Sequence, residues 1–229
     1  MNDTHRFGMF AKHWMPGKVK TRLAATIGQE AAAAVYKAFL DEQILRYASM
    51  QAPAIIVTPD EGSNYFSELL TQLQSPNWQV HPQGLGDLGE RMSRFFQRAF
   101  DDGYSKATLV GSDTPTLPLS FLRQVDQLLN IHDVVLGPSE DGGYCLVAAK
   151  NSVPPIFTGI EWSSEQVWRQ TIAKLQSHRV RFAVLPVWYD VDNADDLRRL
   201  QAELAARPND ESANRLARQL TAILDAESG

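Results

Sequence analysis

Between Phe10 and Leu23 the chain reads FAKHWMPGKVKTRL, with Lys12, Lys18, Lys20 and Arg22 set around a Pro16-Gly17 turn. Four cations this close repel one another unless an anion or acidic side chains offset them. A polyphosphate is one natural partner, because ammonium and guanidinium groups neutralise phosphate oxygens. A solvated basic loop paired with acidic helices meets the same need. The loop is not a Walker A motif, since Gly17 is followed by Lys18 and Val19, and no glycine stands five residues before it.

Carboxylates gather at three further places. In GSDTPTLP, residues 111–118, Asp113 follows an apolar run, Gly111 permits close backbone approach and Pro115 fixes the exit. Such a carboxylate can hold Mg²⁺, which takes one or two carboxylates and fills its other positions with water and phosphate oxygens. Taken alone, it reads first as a cap on the turn or on the helix that follows. In GPSEDGGY, Glu140 and Asp141 precede Gly142-Gly143 in a tight turn, and whether Asp141 faces a site is left open. In YDVDNADDL, Asp190 and Asp192 lie two apart and face the same way in an extended segment, so one can be a second metal ligand. Asn193 suits a helix cap, and Asp195 and Asp196 suit the first turn behind it.

A glycine-rich stretch, QGLGDLGERM, opens a helix and can bring Gly86 and Asp87 up to a nucleotide base or ribose. Its letters Gly84-x-Gly86-x-x-Gly89 match the dinucleotide fingerprint, but they follow a third strand, and Asp87 would repel a phosphate. The five histidines show no metal-ligand spacing. His13 stands out only because it lies in the cationic loop. There is no G-x-S-x-G elbow. Of the tryptophans, Trp162 has the better claim to line a pocket.

The elements that must position these residues alternate. Strands are expected over 6–11, 54–58, 78–81, 107–110, 133–136, 144–149 and 180–187. Helices are expected over 28–50, 63–73, 88–100, 120–130, 163–178, 194–206 and 212–226, with Ser163 or Ser164 capping the fifth. Strands separated by helices argue for a three-layer α/β/α Rossmann-like sandwich with a mainly parallel sheet. Every unusual loop then falls beyond the carboxyl end of a strand, where open sheets bind ligands. One domain is expected over 1–207, with 208–229 as a helical tail packed on it.

Composition narrows the class. The chain has 229 residues, 22 Lys+Arg against 27 Asp+Glu and a net charge of −5, which argues against a nucleic-acid binder. Its single cysteine, Cys145, excludes an internal disulfide and fits a cytoplasmic location. No apolar run approaches the ~20 residues of a membrane span, and the N-terminus lacks the apolar core of a signal peptide.

Six blocks in order, FAKHWMPGKVKTRL, LGERM, VGSDTPTLP, LGPSEDGGYCLVA, GIEWSS and VWYDVDNADDL, together resemble the nucleotide-diphospho-sugar transferase superfamily with the glycosyltransferase A fold. The resembling branch is bacterial and is labelled arsenosugar-biosynthesis-type or radical-SAM-associated glycosyltransferase; no residue carries the arsenosugar label. The resemblance implies a nucleoside diphosphate sugar or NTP as donor, a small-molecule acceptor and Mg²⁺ or Mn²⁺. It implies metal binding by Asp113 and Asp192, phosphate contacts from Lys20 and Arg22 ahead of Lys12 and Lys18, and an acceptor-side or sugar-side turn at Asp141, Gly142 and Gly143. One departure is Trp14, two residues before the Pro-Gly, where the resembling family usually has proline.

Two reactions fit these parts. In glycosyl transfer, Lys20 and Arg22 offset charge on a departing diphosphate while Asp141 or Glu140 acts as base on the acceptor hydroxyl. In nucleotidyl transfer, a phosphorylated acceptor attacks an NTP and pyrophosphate leaves. A catalytically idle nucleotide-binding scaffold is the third reading, disfavoured by the retained Asp113, Lys20 and Arg22. Assembly as a homodimer is left open.

Overall fold

The computed structural model describes residues 4–227. Apolar side chains that alternate along a strand serve both faces of a sheet, and a sheet apolar on both faces needs helices on both. Here β1 (His5–Lys12), β2 (Pro53–Thr58), β3 (Gln79–Pro82), β4 (Lys106–Gly111), β5 (Val134–Pro138), β6 (Tyr144–Lys150) and β7 (Phe182–Val184) form one sheet in the order β3-β2-β1-β4-β6-β5-β7. β6 is antiparallel to β4 and β5, and every other pair is parallel.

One face of the sheet presents Met9, Ile55, Val57, Val110 and Leu146. These pack with α1 (Thr21–Ile27), α2 (Gln29–Arg46), α3 (Ser63–Gln72), α5 (Leu119–Leu129), α7 (Ala194–Ala205) and α8 (Glu211–Glu227). The other face presents Ile56, Leu109, Val134 and Val147 to α4 (Leu88–Asp101) and α6 (Val167–Ser177). The three-layer α/β/α sandwich expected from the alternation is therefore the architecture. α8 adds Ala213, Leu216 and Leu220 to the first face. It is also held by charge: Arg215 donates to both oxygens of buried Glu42 on α2, at 2.9 and 3.0 Å.

Three elements differ from expectation. The helix expected over 28–50 ends at Arg46, and a separate α1 precedes it; Gly28, at φ 84°, turns the chain between the two. The helix expected from 163 starts only at Val167, without a side-chain cap. Ser163 sits at φ 65°, outside helical backbone, and the Ser164 hydroxyl donates to the Glu161 carbonyl. The last strand shrinks to Phe182–Val184: the Val180 amide turns back to the Leu175 carbonyl, and beyond Leu185 Pro186 has no N–H to continue the ladder. Among the described residues no helix is long and apolar enough to cross a membrane.

The chain leaves β1 outward to β2 and β3, then returns to β4 on the other side of β1. Such a reversal opens a crevice at the carboxyl ends of the two central strands. The register sets Phe10 opposite Gly111, so Lys12 and Asp113, two residues beyond each, leave the sheet side by side. Because β6 is antiparallel, its first residue, Tyr144, lies at that same edge and brings the 139–143 turn with it.

α4 lies close across β1 because Gly8 has no side chain. A Cβ there would stand 2.3 Å from the Phe95 ring. Gly8→Ala is expected to lower unfolding free energy by about 1–3 kcal/mol through overpacking. Urea unfolding of Gly8→Ala, Phe95→Leu and the double variant checks this, with a smaller penalty for Gly8→Ala in the Phe95→Leu background as the expected result.

Candidate active site

The two central strand ends are tied together by α2. The buried Tyr36 hydroxyl accepts from the Lys12 amide at 3.0 Å and shares a 2.6 Å hydrogen bond with the Ser112 hydroxyl. Burial, then the Asp113 charge, push the Tyr36 phenol up to about 12, so it stays neutral. Gln43 donates to the Ser112 carbonyl at 2.9 Å, and Arg46 donates to the carbonyls of Pro115 and Leu117. One helix thus fixes the backbone on both sides of Asp113.

Lys20 is the centre of the site. Its backbone is left-handed, φ 46° and ψ 45°, and it stands at the N-cap of α1. For a residue with a Cβ this costs about 1–3 kcal/mol, a strain that concentrates at functional positions. It turns the side chain inward, past the rings of Tyr36 and Phe39, to an ion pair with Asp113 and a 3.0 Å ion pair with Asp192. The Lys20 side chain is 3% exposed, while those of Asp113 and Asp192 are 50% and 37% exposed. Burial opposes its charge, but the two carboxylates outweigh burial and raise its pKa. The ammonium therefore lies beneath the carboxylate pair. Lys20, expected from the resemblance to contact phosphate, has its ammonium on Asp113 and Asp192 here.

The pair itself is held by backbone. The Val191 amide donates to the Asp113 carbonyl at 2.9 Å, joining the GSDTP loop to the YDVDN segment. Asn193 caps α7 as its type predicts, accepting from the Asp195 and Asp196 amides. The Asp196 carboxylate returns the contact to the Asp192 and Asn193 amides at 3.0 and 3.1 Å. This capping box sets the direction of Asp192.

Asp190 completes the acidic group and was no more than an alternative to Asp192 in the sequence. Burial, the charges of Asp113 and Asp141, and then that of Asp192 push its carboxyl up to about 7, against the Ser139 hydroxyl. The two-residue spacing in YDVDN signalled that both could face one way; that burial would raise the Asp190 carboxyl required the fold. Asp141 is exposed, and one of its oxygens accepts from the Ser139 hydroxyl and from the Gly143 amide at 3.0 Å. Gly142, at φ 88°, makes that turn. Glu140 does not join it. Arg199 donates to both Glu140 oxygens, at 2.7 and 3.0 Å, and holds that carboxyl below its usual range.

Lys12, Lys18 and Arg22 are exposed. Gly17, at φ 71°, makes the turn between the lysines, and a Cβ there would meet the Gln29 side chain at 2.9 Å. Trp14 packs edge-on against Phe66 of α3 with Lys37 of α2 over its ring, so it anchors the cationic loop to two helices. His13 stacks on half-exposed Tyr65 at 3.9 Å. Gly111 faces open space.

The glycine-rich stretch lines a cleft whose walls include none of Asp113, Asp141, Asp190 or Asp192. Asp87 is the N-cap of α4, accepting from the Glu90 amide at 2.8 Å while Glu90 returns to the Asp87 amide. Asp87, expected near a nucleotide base or ribose, thus caps a helix through one of its carboxylate oxygens. Gly86 lines a cleft of about 600 Å³ with Leu85, Gly89, Arg94 and Phe157. Trp162 is packed against Gly89 and Tyr144 and does not line that cleft.

Asp113 and Asp192 turn half-exposed oxygens to solvent with one cation shared behind them. Two hard oxygen donors of this kind fit Mg²⁺ or Mn²⁺, which leave most positions to water and phosphate. Among the described residues no three His, Cys, Asp or Glu side chains converge on one point.

Residues 43–164, just over half of the chain, match the model of a family described as an uncharacterized protein conserved in bacteria, DUF2064. The structure of a protein from Desulfovibrio desulfuricans G20, described as a nucleotide-diphospho-sugar transferase, is similar with 31% identity and a TM-score of 0.83, over 99% of each chain. A cytidylyltransferase from Leptospira borgpetersenii shares the fold with 11% identity and a TM-score of 0.56, over 98% of this chain and 95% of its own. So does a 4-diphosphocytidyl-2C-methyl-D-erythritol synthase from Anaerococcus prevotii, with 9% identity and a TM-score of 0.57, over 88% and 99%. No curated protein matches the chain.

The raised Asp190 pKa has a sign that can be measured. Between the usual carboxylate range and about 7 the native state holds a proton that the unfolded chain has released, so Asp190's contribution to stability is lost as pH rises through that window. In metal-free buffer, Asp190→Asn is expected to gain stability relative to the parent between roughly pH 4 and pH 8. Denaturant titrations across that range check it, and parallel curves would contradict it.

Proposed function

The chain belongs to the DUF2064 family, and from that premise we propose that it is a metal-dependent transferase that uses a nucleotide-activated donor. The preferred reaction is glycosyl transfer from a nucleoside diphosphate sugar to a small-molecule acceptor. The observation that carries this reading is the Asp113–Lys20–Asp192 centre at the switch point between β1 and β4. The 31% identical relative described as a nucleotide-diphospho-sugar transferase supports it. The arsenosugar or radical-SAM-associated branch rests on the sequence blocks alone.

In this proposal Asp113 and Asp192 hold Mg²⁺ or Mn²⁺, which supplies Lewis acidity to the donor's diphosphate. Lys20 keeps the two carboxylates together. Arg22, with Lys12 and Lys18, meets the remaining phosphate charge, and being exposed they are free to do so. Gly111, with open space at its Cα, lets the donor approach the end of β4. Asp141 takes the proton of the acceptor hydroxyl, with one oxygen fixed by Ser139 and Gly143. Glu140 is set aside for this step because Arg199 occupies both its oxygens.

The test incubates the protein with Mg²⁺ or Mn²⁺ and a panel of sugar nucleotides and NTPs, reading nucleoside diphosphate and pyrophosphate. Slow, metal-dependent release of nucleoside diphosphate from one sugar nucleotide is the expected result. Pyrophosphate released from an NTP only with a phosphorylated acceptor would replace glycosyl by nucleotidyl transfer. If no nucleotide shifts the melting temperature, both fail. Asp113→Ala is expected to lower the metal-dependent rate about 100-fold or more, and an unchanged rate would move the metal elsewhere.

A further inference from the structure

We propose that Lys20 is a built-in cation that makes divalent-ion binding depend on the phosphates of the nucleotide. The inference rests on the nucleotide-transferase reading of the same site and adds to it how metal and donor are coupled.

Three observations carry it. First, the Lys20 ammonium already bridges both candidate metal ligands, at 3.0 Å to Asp192 and closer to Asp113. Secondly, the position is built. Lys20 is buried, its ammonium lies 5.8 Å from the Tyr36 ring centroid and 5.9 Å from that of Phe39, and its backbone is left-handed. A lysine that served only to grip phosphate would be left with its head in solvent, as Lys12 and Lys18 are. Thirdly, Val191 and the Asp196 capping box fix the backbone of Asp113 and of Asp192, so the lysine acts on the carboxylates themselves and is not needed merely to draw loose loops together.

The consequence follows from charge. Asp113, Asp192 and Lys20 carry one net negative charge between them, so a divalent ion at the half-exposed outer oxygens meets one charge fewer than the carboxylate pair alone would offer and stands beside the ammonium, with Asp190 and Asp141 further out in the acidic group. Cations this close repel strongly unless water or counter-anions screen them. A metal ion alone is therefore held weakly. A metal ion that arrives with a diphosphate brings the missing negative charge, and the two bind cooperatively. Lys20 acts through Asp113 and Asp192 and is a positioning residue.

The experiment titrates Mn²⁺ into nucleotide-free protein and reads free Mn²⁺ by electron paramagnetic resonance. The parent is expected to bind weakly and Lys20→Met about tenfold or more tightly, because two carboxylates are left without their counter-charge. In melting experiments Mg²⁺ with inorganic pyrophosphate is expected to stabilise the parent beyond the sum of the two alone. In Lys20→Met, Mg²⁺ alone should stabilise and that synergy should shrink. Equal Mn²⁺ affinity in parent and variant overturns the inference. A second reading needs no variant. In metal-free parent labelled with ¹⁵N-lysine, an ammonium buried in two ion pairs exchanges slowly and gives its own ¹H–¹⁵N signal; if no such signal is present, the inference is overturned. The Mn²⁺ titration contains no nucleotide. A protein that turns over no nucleotide donor yet shows the Lys20 effect and the pyrophosphate synergy would sink the transferase reading and leave the coupling of metal to diphosphate standing; turnover of a donor with no Lys20 effect would do the opposite.

Discussion

The ion-pair bridge from Lys20 to Asp113 and Asp192 is the interaction around which the rest of the site is arranged. Bringing two carboxylates together costs Coulomb energy, and burying an ammonium costs solvation. Each cost is offset only by the other partner. That mutual dependence explains why so many unrelated elements converge here. β1 and β4 deliver the loops side by side, and α2 ties their backbones through Tyr36, Gln43 and Arg46. The α7 cap aims Asp192, and the left-handed turn at Lys20 delivers the cation.

The wider acidic rim follows from the same constraint. Once Asp113 and Asp192 share one ammonium, further carboxylates nearby must find another way to stay. Asp190 does so by holding its proton to about 7. Asp141 stays exposed, with a hydroxyl and an amide on one oxygen. Glu140 is drawn off by Arg199, whose guanidinium also stacks on Tyr189 at 3.8 Å. Three neighbouring carboxylates thus reach three different states through their surroundings. That leaves Asp141 as the one of the three that is both exposed and without a cationic partner among the ion pairs above.

Much of this was legible in the sequence, and the part that was not has a common cause. Periodicity and strand-end position located the sandwich, the cationic loop, Asp113 and the Asp190/Asp192 pair, because each depends on neighbours in sequence. Asn193 declared itself as a cap by its type and by the acidic residues behind it. Lys20 was legible as a cation but not as a buried one, since its burial depends on a left-handed backbone and on Tyr36 and Phe39 of another helix. Glu140 looked as available as Asp141 until Arg199, fifty-nine positions away, took it. Asp87 was read for its glycine surroundings, yet Glu90 three residues on marks it as a capping box. Trp14 stood out in the sequence as a large side chain beside the Pro-Gly turn, and the aromatic contact with Phe66 and the cation of Lys37 supply a reason for it.

The central claim is that the carboxylate pair above Lys20 receives a divalent ion together with a diphosphate. The most direct measurement is anomalous diffraction at the manganese edge from crystals of the protein grown with Mn²⁺ and a nucleoside diphosphate. The predicted result is one anomalous peak coordinated by Asp113 and Asp192, with the diphosphate beside it and the Lys20 ammonium within reach of the same carboxylates. A peak seated elsewhere, with Asp113 and Asp192 still closed on Lys20 alone, would contradict it.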